Sequence, residues 1–100
     1  MEVRWTPNAR ADLHAIHDYI AQDSPQNALN FIDRLTQRAE QMSDFLRSGR
    51  IVPEHERDDV RELIESPYRI IYRLLPEYID VLAVMHGSRL LRDIPGLPAH

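Results

Sequence analysis

The stretch from Arg61 to Arg89, RELIESPYRIIYRLLPEYIDVLAVMHGSR, constrains the fold of this chain more than any other segment. It reads as three short strands, Val60 to Glu65, Tyr68 to Leu75 and Ile79 to His86, with turn signals at Ser66-Pro67 and Pro76-Glu77. Side chains alternate across a strand. One face of the middle strand therefore carries Tyr68, Ile70 and Tyr72, and the other carries Arg69, Ile71 and Arg73. A guanidinium does not enter an apolar core unpaired, so Arg69 and Arg73 are expected to emerge at a sheet surface. The last strand, IDVLAV, is apolar at nearly every position except Asp80, which suits a strand covered on both faces. It runs directly into His86-Gly87-Ser88-Arg89.

The N-terminal half supplies a cover for such a sheet. Glu2 to Trp5 alternates as a short strand, and Thr6-Pro7 then gives an N-cap followed by proline at the first helical position. Ala9, Leu13, Ile16 and Ile20 fall on one face of a first helix. Ser24-Pro25 repeats the cap-then-proline start, and Ala28, Ile32, Leu35, Ala39, Met42 and Leu46 continue the helical spacing until Ser48-Gly49 ends it. So short a link predicts an antiparallel hairpin whose apolar faces need a sheet. Ile51-Val52-Pro53 and the acidic run Glu54 to Asp59 read as a loop crossing the sheet edge, and residues 90–100 as an extended, partly mobile tail. The expected fold is one α+β domain over residues 1–100, ordered β-α-α-β-β-β, with a helical hairpin on a mostly antiparallel twisted sheet.

Charge narrows the function. All twelve basic residues are arginine, and the net charge is −4. Nonspecific nucleic-acid binding rests on phosphate contacts from a basic surface, so this balance argues against a general DNA or RNA binder while allowing a local arginine cluster. No cysteine is present, which excludes disulfides and thiolate metal sites. His14, His17 and Asp18 lie within about one helical turn, but no further ligand accompanies them, and neither a metal nor a cofactor is expected. No run approaches the ~20 apolar residues of a membrane span. The opening MEVRWTPNAR lacks an apolar signal-like stretch, so a cytoplasmic location is expected.

The chain resembles the toxins of the RelE/ParE superfamily of bacterial type II toxin–antitoxin systems, and the ParE branch most closely. The resemblance is carried by Trp5 with Ala11-Asp12-Leu13, Tyr19-Ile20, Pro25 with Ala28, Gly49-Arg50 with Val52-Pro53-Glu54, Arg61-Glu62-Leu63, Tyr68 to Arg73, and His86 to Arg89. RelE-like members are ribosome-dependent mRNA endonucleases. ParE-like members share the fold but stall the cleaved-DNA intermediate of DNA gyrase. Each is held inactive by a cognate antitoxin, ParD-like or related here, in a toxin–antitoxin hetero-oligomer.

The resemblance implies two alternative sites. A ParE-like toxin needs no catalytic residues, and its candidate partner-binding residues are Arg69, Arg73, Arg89, His86 and Tyr72. A RelE-like nuclease needs a group of near-neutral pKa and fixed cations around the phosphate; Arg61, Arg69, His86 and Arg89 are the candidates. The chain has no lysine, and the tail after Arg89 reads Leu90-Leu91-Arg92-Asp93, without the tyrosine that RelE-type enzymes carry there. The alternative for Arg61 and Arg69 is cross-strand pairing with Glu62 and Glu65, worth under ~1 kcal/mol if exposed. Arg34 and Arg38, spaced i and i+4, are expected on a solvated helix face.

Overall fold

The computed structural model describes residues 1–45 and 48–99, and Leu46, the expected last apolar position of the second helix, lies outside them. Strand β1 (Glu2–Trp5) leads into α1 (Pro7–Ala21) and α2 (Pro25–Glu40), followed by β2 (Arg50–Ile51), β3 (Val60–Glu65), β4 (Tyr68–Leu74) and β5 (Tyr78–His86). Both helices start as the capping logic requires: the Thr6 hydroxyl accepts from the Ala9 amide, and the Ser24 hydroxyl accepts from the Asn27 amide. The second helix is shorter than its apolar spacing predicts. It ends at Glu40 and tightens into a 3-10 turn over Gln41–Ser43, with Met42 fully buried.

The strands form one sheet in the order β1-β5-β4-β3-β2, parallel only between β1 and β5. The two-residue β2, expected as loop, pairs Arg50 with Glu62 and Ile51 with Arg61. The helical hairpin covers one face, where Ile16, Phe31, Leu35 and Met42 pack on Leu63, Ile70, Tyr72, Ile79, Val81 and Val84. The opposite face is also covered. Leu91, Ile94 and Leu97 of the C-terminal segment lie over Val52, Val60, Ile71 and Ala83, so residues 90–99 form a strap across the sheet.

A bulge lets one strand serve both layers. Ile71 pairs with Ala83 and Tyr72 with Val81, which leaves Leu82 as an extra residue in β5. Val81 and Val84 thereby both face the helices, while Ala83 faces the strap. The start of α1 secures this irregular edge: the Thr6 hydroxyl donates to the Val81 carbonyl at 2.9 Å, and the Asn8 side-chain amide donates to the Leu82 carbonyl at 2.9 Å. Gly96 turns the strap at φ +87°, where any Cβ would press on Leu82.

Gly49 is required for space rather than for conformation. Its amide donates to the buried Tyr72 hydroxyl at 3.1 Å, and a Cβ there would overlap both that hydroxyl and the Glu62 carbonyl. Gly49→Ala should therefore destabilise the fold by about 1–3 kcal/mol, seen as a lower urea midpoint at unchanged denaturant slope.

Candidate functional site

Strand alternation puts Arg69 of β4 on the strap side of the sheet, as expected, but the side chain does not emerge. It is only 7% exposed and sits between two carboxylates. The inner edge of its guanidinium faces Glu62 of β3, with Nε at 3.1 Å and Nη2 at 3.0 Å. The outer edge meets Glu54, from the loop after β2, in a fork: Nη2 to Oε1 at 2.8 Å and Nη1 to Oε2 at 2.9 Å. Nη1 also donates to the Arg89 carbonyl at 3.0 Å. These contacts account for all five guanidinium donors. Charge pairing stabilises the buried cation and raises its pKa, chiefly through Glu54.

Glu62 is buried to 0% and also accepts from Arg50 at 3.2 Å. Glu54 Oε2 accepts a second bond from the Leu91 amide at 2.8 Å, fastening the start of the strap. Pairing therefore explains Arg69, but in a buried cluster with Glu62 and Glu54 rather than as an exposed cross-strand pair.

The other expected site residues scatter. Arg61 donates to the Asp58 carboxylate at 2.7 Å and to the Gly49 carbonyl at 3.0 Å. Arg73 lies 3.6 Å from Asp59, which Arg57 engages at 2.8 Å. Tyr72, expected at a partner surface, is fully buried on the helix face, because that face of β4 is the one the hairpin covers. Arg34 and Arg38 are not merely solvated; they approach Glu65 of β3 at 3.9 and 3.7 Å.

Arg89 and His86 do remain exposed, in the turn that ends β5. The Gly87 amide donates to the Pro67 carbonyl at 2.8 Å, and the Arg89 amide donates to the His86 carbonyl at 3.0 Å. The Ser88 amide donates to His86 Nδ1 at 3.1 Å, which leaves Nε2 to carry the proton of the neutral ring. His86 also stands edge-on to Tyr68, ring centroids 5.7 Å apart.

Two clefts flank this turn. One, of about 440 Å³, lies on the strap side and is lined by Arg50, Glu54, Ile64, Arg69, Arg89 and Leu90, among others. The other, of about 490 Å³, lies towards α1 and includes Asp12, Tyr19, Tyr68, His86 and Arg89. Asp12 accepts from the Val84 amide at 2.9 Å, and burial pushes its carboxyl upwards. Asp12, Glu54 and Arg50 were not among the expected site residues. Glu54 gave no signal beyond its place in an acidic run, because its partner is 15 residues away in the chain.

Comparison with known proteins fits this architecture. The profile of the ParE toxin of type II toxin–antitoxin systems (parDE) matches residues 3–91. The chain belongs to the ParE toxin family. It is 34% identical over 90 residues to Toxin RelE2 of Caulobacter vibrioides, covering 89% of this chain and 98% of that one. It is 33% identical over 89 residues to the putative toxin Y4kP of Sinorhizobium fredii, covering 87% and 88%. Among solved structures it resembles a chain of the chromosomal ParDE system of P. aeruginosa, with TM-score 0.72 and 28% identity over 86% of this chain and 95% of that one. It also resembles a chain of the RelBE2 toxin–antitoxin complex of Mycobacterium tuberculosis, with TM-score 0.59 and 25% identity over 85% and 95%. The protein is thus a type II toxin of the ParE/RelE superfamily, with two helices on a five-stranded, mostly antiparallel sheet. No helix among its described residues is long and apolar enough to cross a membrane.

In this ParE-family chain, hydrogen bonds from Arg69 hold the Glu54 carboxyl at about 2, below its ordinary 4.5. A depressed carboxyl contributes stability that is fully present above its unfolded pKa and is lost as pH falls through the folded value. The latch to Leu91 should therefore be intact from neutrality down to about pH 4.5 and fail only on approach to about 2. The Leu91 amide resonance, followed by NMR, is expected to titrate with a midpoint near 2 and to show no step at 4.5.

Proposed function

We propose that this chain is a ParE-type toxin that binds DNA gyrase through protein–protein contacts and poisons it, using no catalytic residues of its own. A cognate antitoxin, ParD-like or related, neutralises it. One observation carries the choice of activity: Arg69 has every donor engaged by Glu54, Glu62 and the Arg89 carbonyl. Cleavage of RNA requires free donors aimed at the charge that develops on the phosphate. Arg61 is likewise tied to Asp58 and Gly49. That leaves Arg89 and His86 of the RelE-like set, which is too few to activate the 2′-hydroxyl, stabilise the transition state and protonate the leaving oxygen. A gyrase poison needs only a fixed recognition surface and works in the cytoplasm.

The kinship to ParDE and RelBE2 systems supports the antitoxin partner. A groove of about 440 Å³ between the hairpin and the β3–β4 turn, walled by Tyr19, Ile20, Phe31 and Tyr68, suits the apolar face of an antitoxin helix. With Arg69 and Arg73 paired internally, the electrostatic part of antitoxin recognition falls to Arg89 and the exposed Arg50.

The name of the Caulobacter relative keeps ribosome-dependent cleavage as the second reading. One pair of assays separates the two. Purified gyrase, relaxed plasmid and the toxin should accumulate cleaved DNA and lose supercoiling activity, while mRNA in a translating extract stays intact. Undiminished supercoiling without cleaved DNA would overturn the gyrase reading, and cut mRNA that survives in Arg89→Ala would count against both.

A further inference from the structure

The cluster around Arg69 is asymmetric in a way that a purely structural ion pair does not require. Glu62 belongs to a strand and is 0% exposed, so it cannot leave. Glu54 belongs to a loop and is 24% exposed, and it holds only the outer edge of the guanidinium. That edge opens towards the strap-side cleft, where Leu90 and Ile64 expose aliphatic surface beside Arg50 and Arg89. The same Glu54 oxygen that meets Arg69 Nη1 also holds the Leu91 amide. Withdrawal of Glu54 therefore has two consequences. It frees a bidentate fork, leaving Arg50, Arg69 and Arg89 balanced only by Glu62, and it removes the first fastening of the strap over Val52, Val60, Ile71 and Ala83.

We infer that Glu54 is an internal stand-in for a carboxylate of a partner protein. An acidic side chain in an extended partner segment takes its place on the outer edge of Arg69, and the exchange unlatches the strap. Glu54 itself shows that the fork accepts a planar, two-oxygen ligand. The flanking Leu90 and Ile64, with the apolar floor beneath the strap, call for aliphatic neighbours in the incoming segment. Partner binding and strap release are then coupled, each favouring the other by the same factor. This deepens the antitoxin reading, because it gives the acidic stretch of such a partner a defined seat and a consequence.

The test uses the full-length chain and two independent arms. In the first, hydrogen exchange is compared between wild type and Glu54→Gln without any partner. The amides of Leu91 to Leu97 should exchange at least tenfold faster in the variant, with β4 and β5 unchanged; equal strap protection would overturn the latch. Glu54→Asp, whose shorter carboxylate keeps the charge but not the two-point reach, should give the intermediate rate if the variant with glutamine proves unstable. In the second arm hexaglutamate is titrated in. It should loosen the wild-type strap in a saturable way and bind Glu54→Gln at least tenfold more tightly, because the tethered competitor is gone. Equal affinity for the two proteins would overturn the exchange, as would an equal response to hexaglutamine or inorganic phosphate. Failure of an antitoxin to bind would leave the first arm untouched, so the two readings fail separately.

Discussion

Removing the Arg69 guanidinium from water is the demand around which the strap side of this molecule is arranged. A buried cation costs several kcal/mol unless its charge and all its donors are met. Here the compensation comes from three places at once: Glu62 on the neighbouring strand, Glu54 in the loop after β2, and the carbonyl of Arg89 beyond β5. One side chain therefore fixes the position of a strand, a loop and the C-terminal segment relative to each other. Such clusters are weak evidence for stability, since apolar replacements of the same shape often do as well. Their contribution here is geometric: they set where Arg89 and Leu90 stand.

The sheet is a shared floor between two covers of unequal strength. The helical hairpin rests on a broad apolar layer and is fastened to β5 by Thr6, Asn8 and Asp12. The strap rests on four buried residues and three aliphatic contacts, with Arg57 donating to the Ala99 carbonyl near its far end. Fewer apolar contacts mean a lower free energy of local opening, so the strap is the element that binding can most readily displace. The extra residue in β5 makes the double cover possible by letting adjacent side chains serve both layers.

What distinguishes a binding toxin from a cutting one, on this scaffold, is whether its strand arginines are free. The cleft beside Arg69 is lined with charge, yet opposite charges already meet within it, and a phosphate would find little uncompensated cation there. The exposed features instead gather around the Ser66–Pro67–Tyr68 turn, which borders three of the clefts, with Tyr19, Arg50, Arg89 and Leu90 projecting beside it. Aromatic, aliphatic and arginine side chains on a firm base are the components of protein recognition surfaces.

By itself the sequence determined everything that follows from local periodicity. The cap-and-proline starts at Thr6-Pro7 and Ser24-Pro25, the alternation of β4 and the doubly covered β5 all came from short-range rules, because capping and pleating act within a few residues. The assignment of Arg69 and Ile71 to the face away from Tyr68 and Ile70 followed as well. Only the tertiary structure decided what met those faces. The hairpin buried Tyr72 because its side of the sheet was the one covered, and the strap closed the face that had been expected to stand open. Glu54 reached Arg69 across 15 residues of chain. Alternation fixes the direction in which a side chain points, but the charge that compensates it depends on how distant loops cross the sheet.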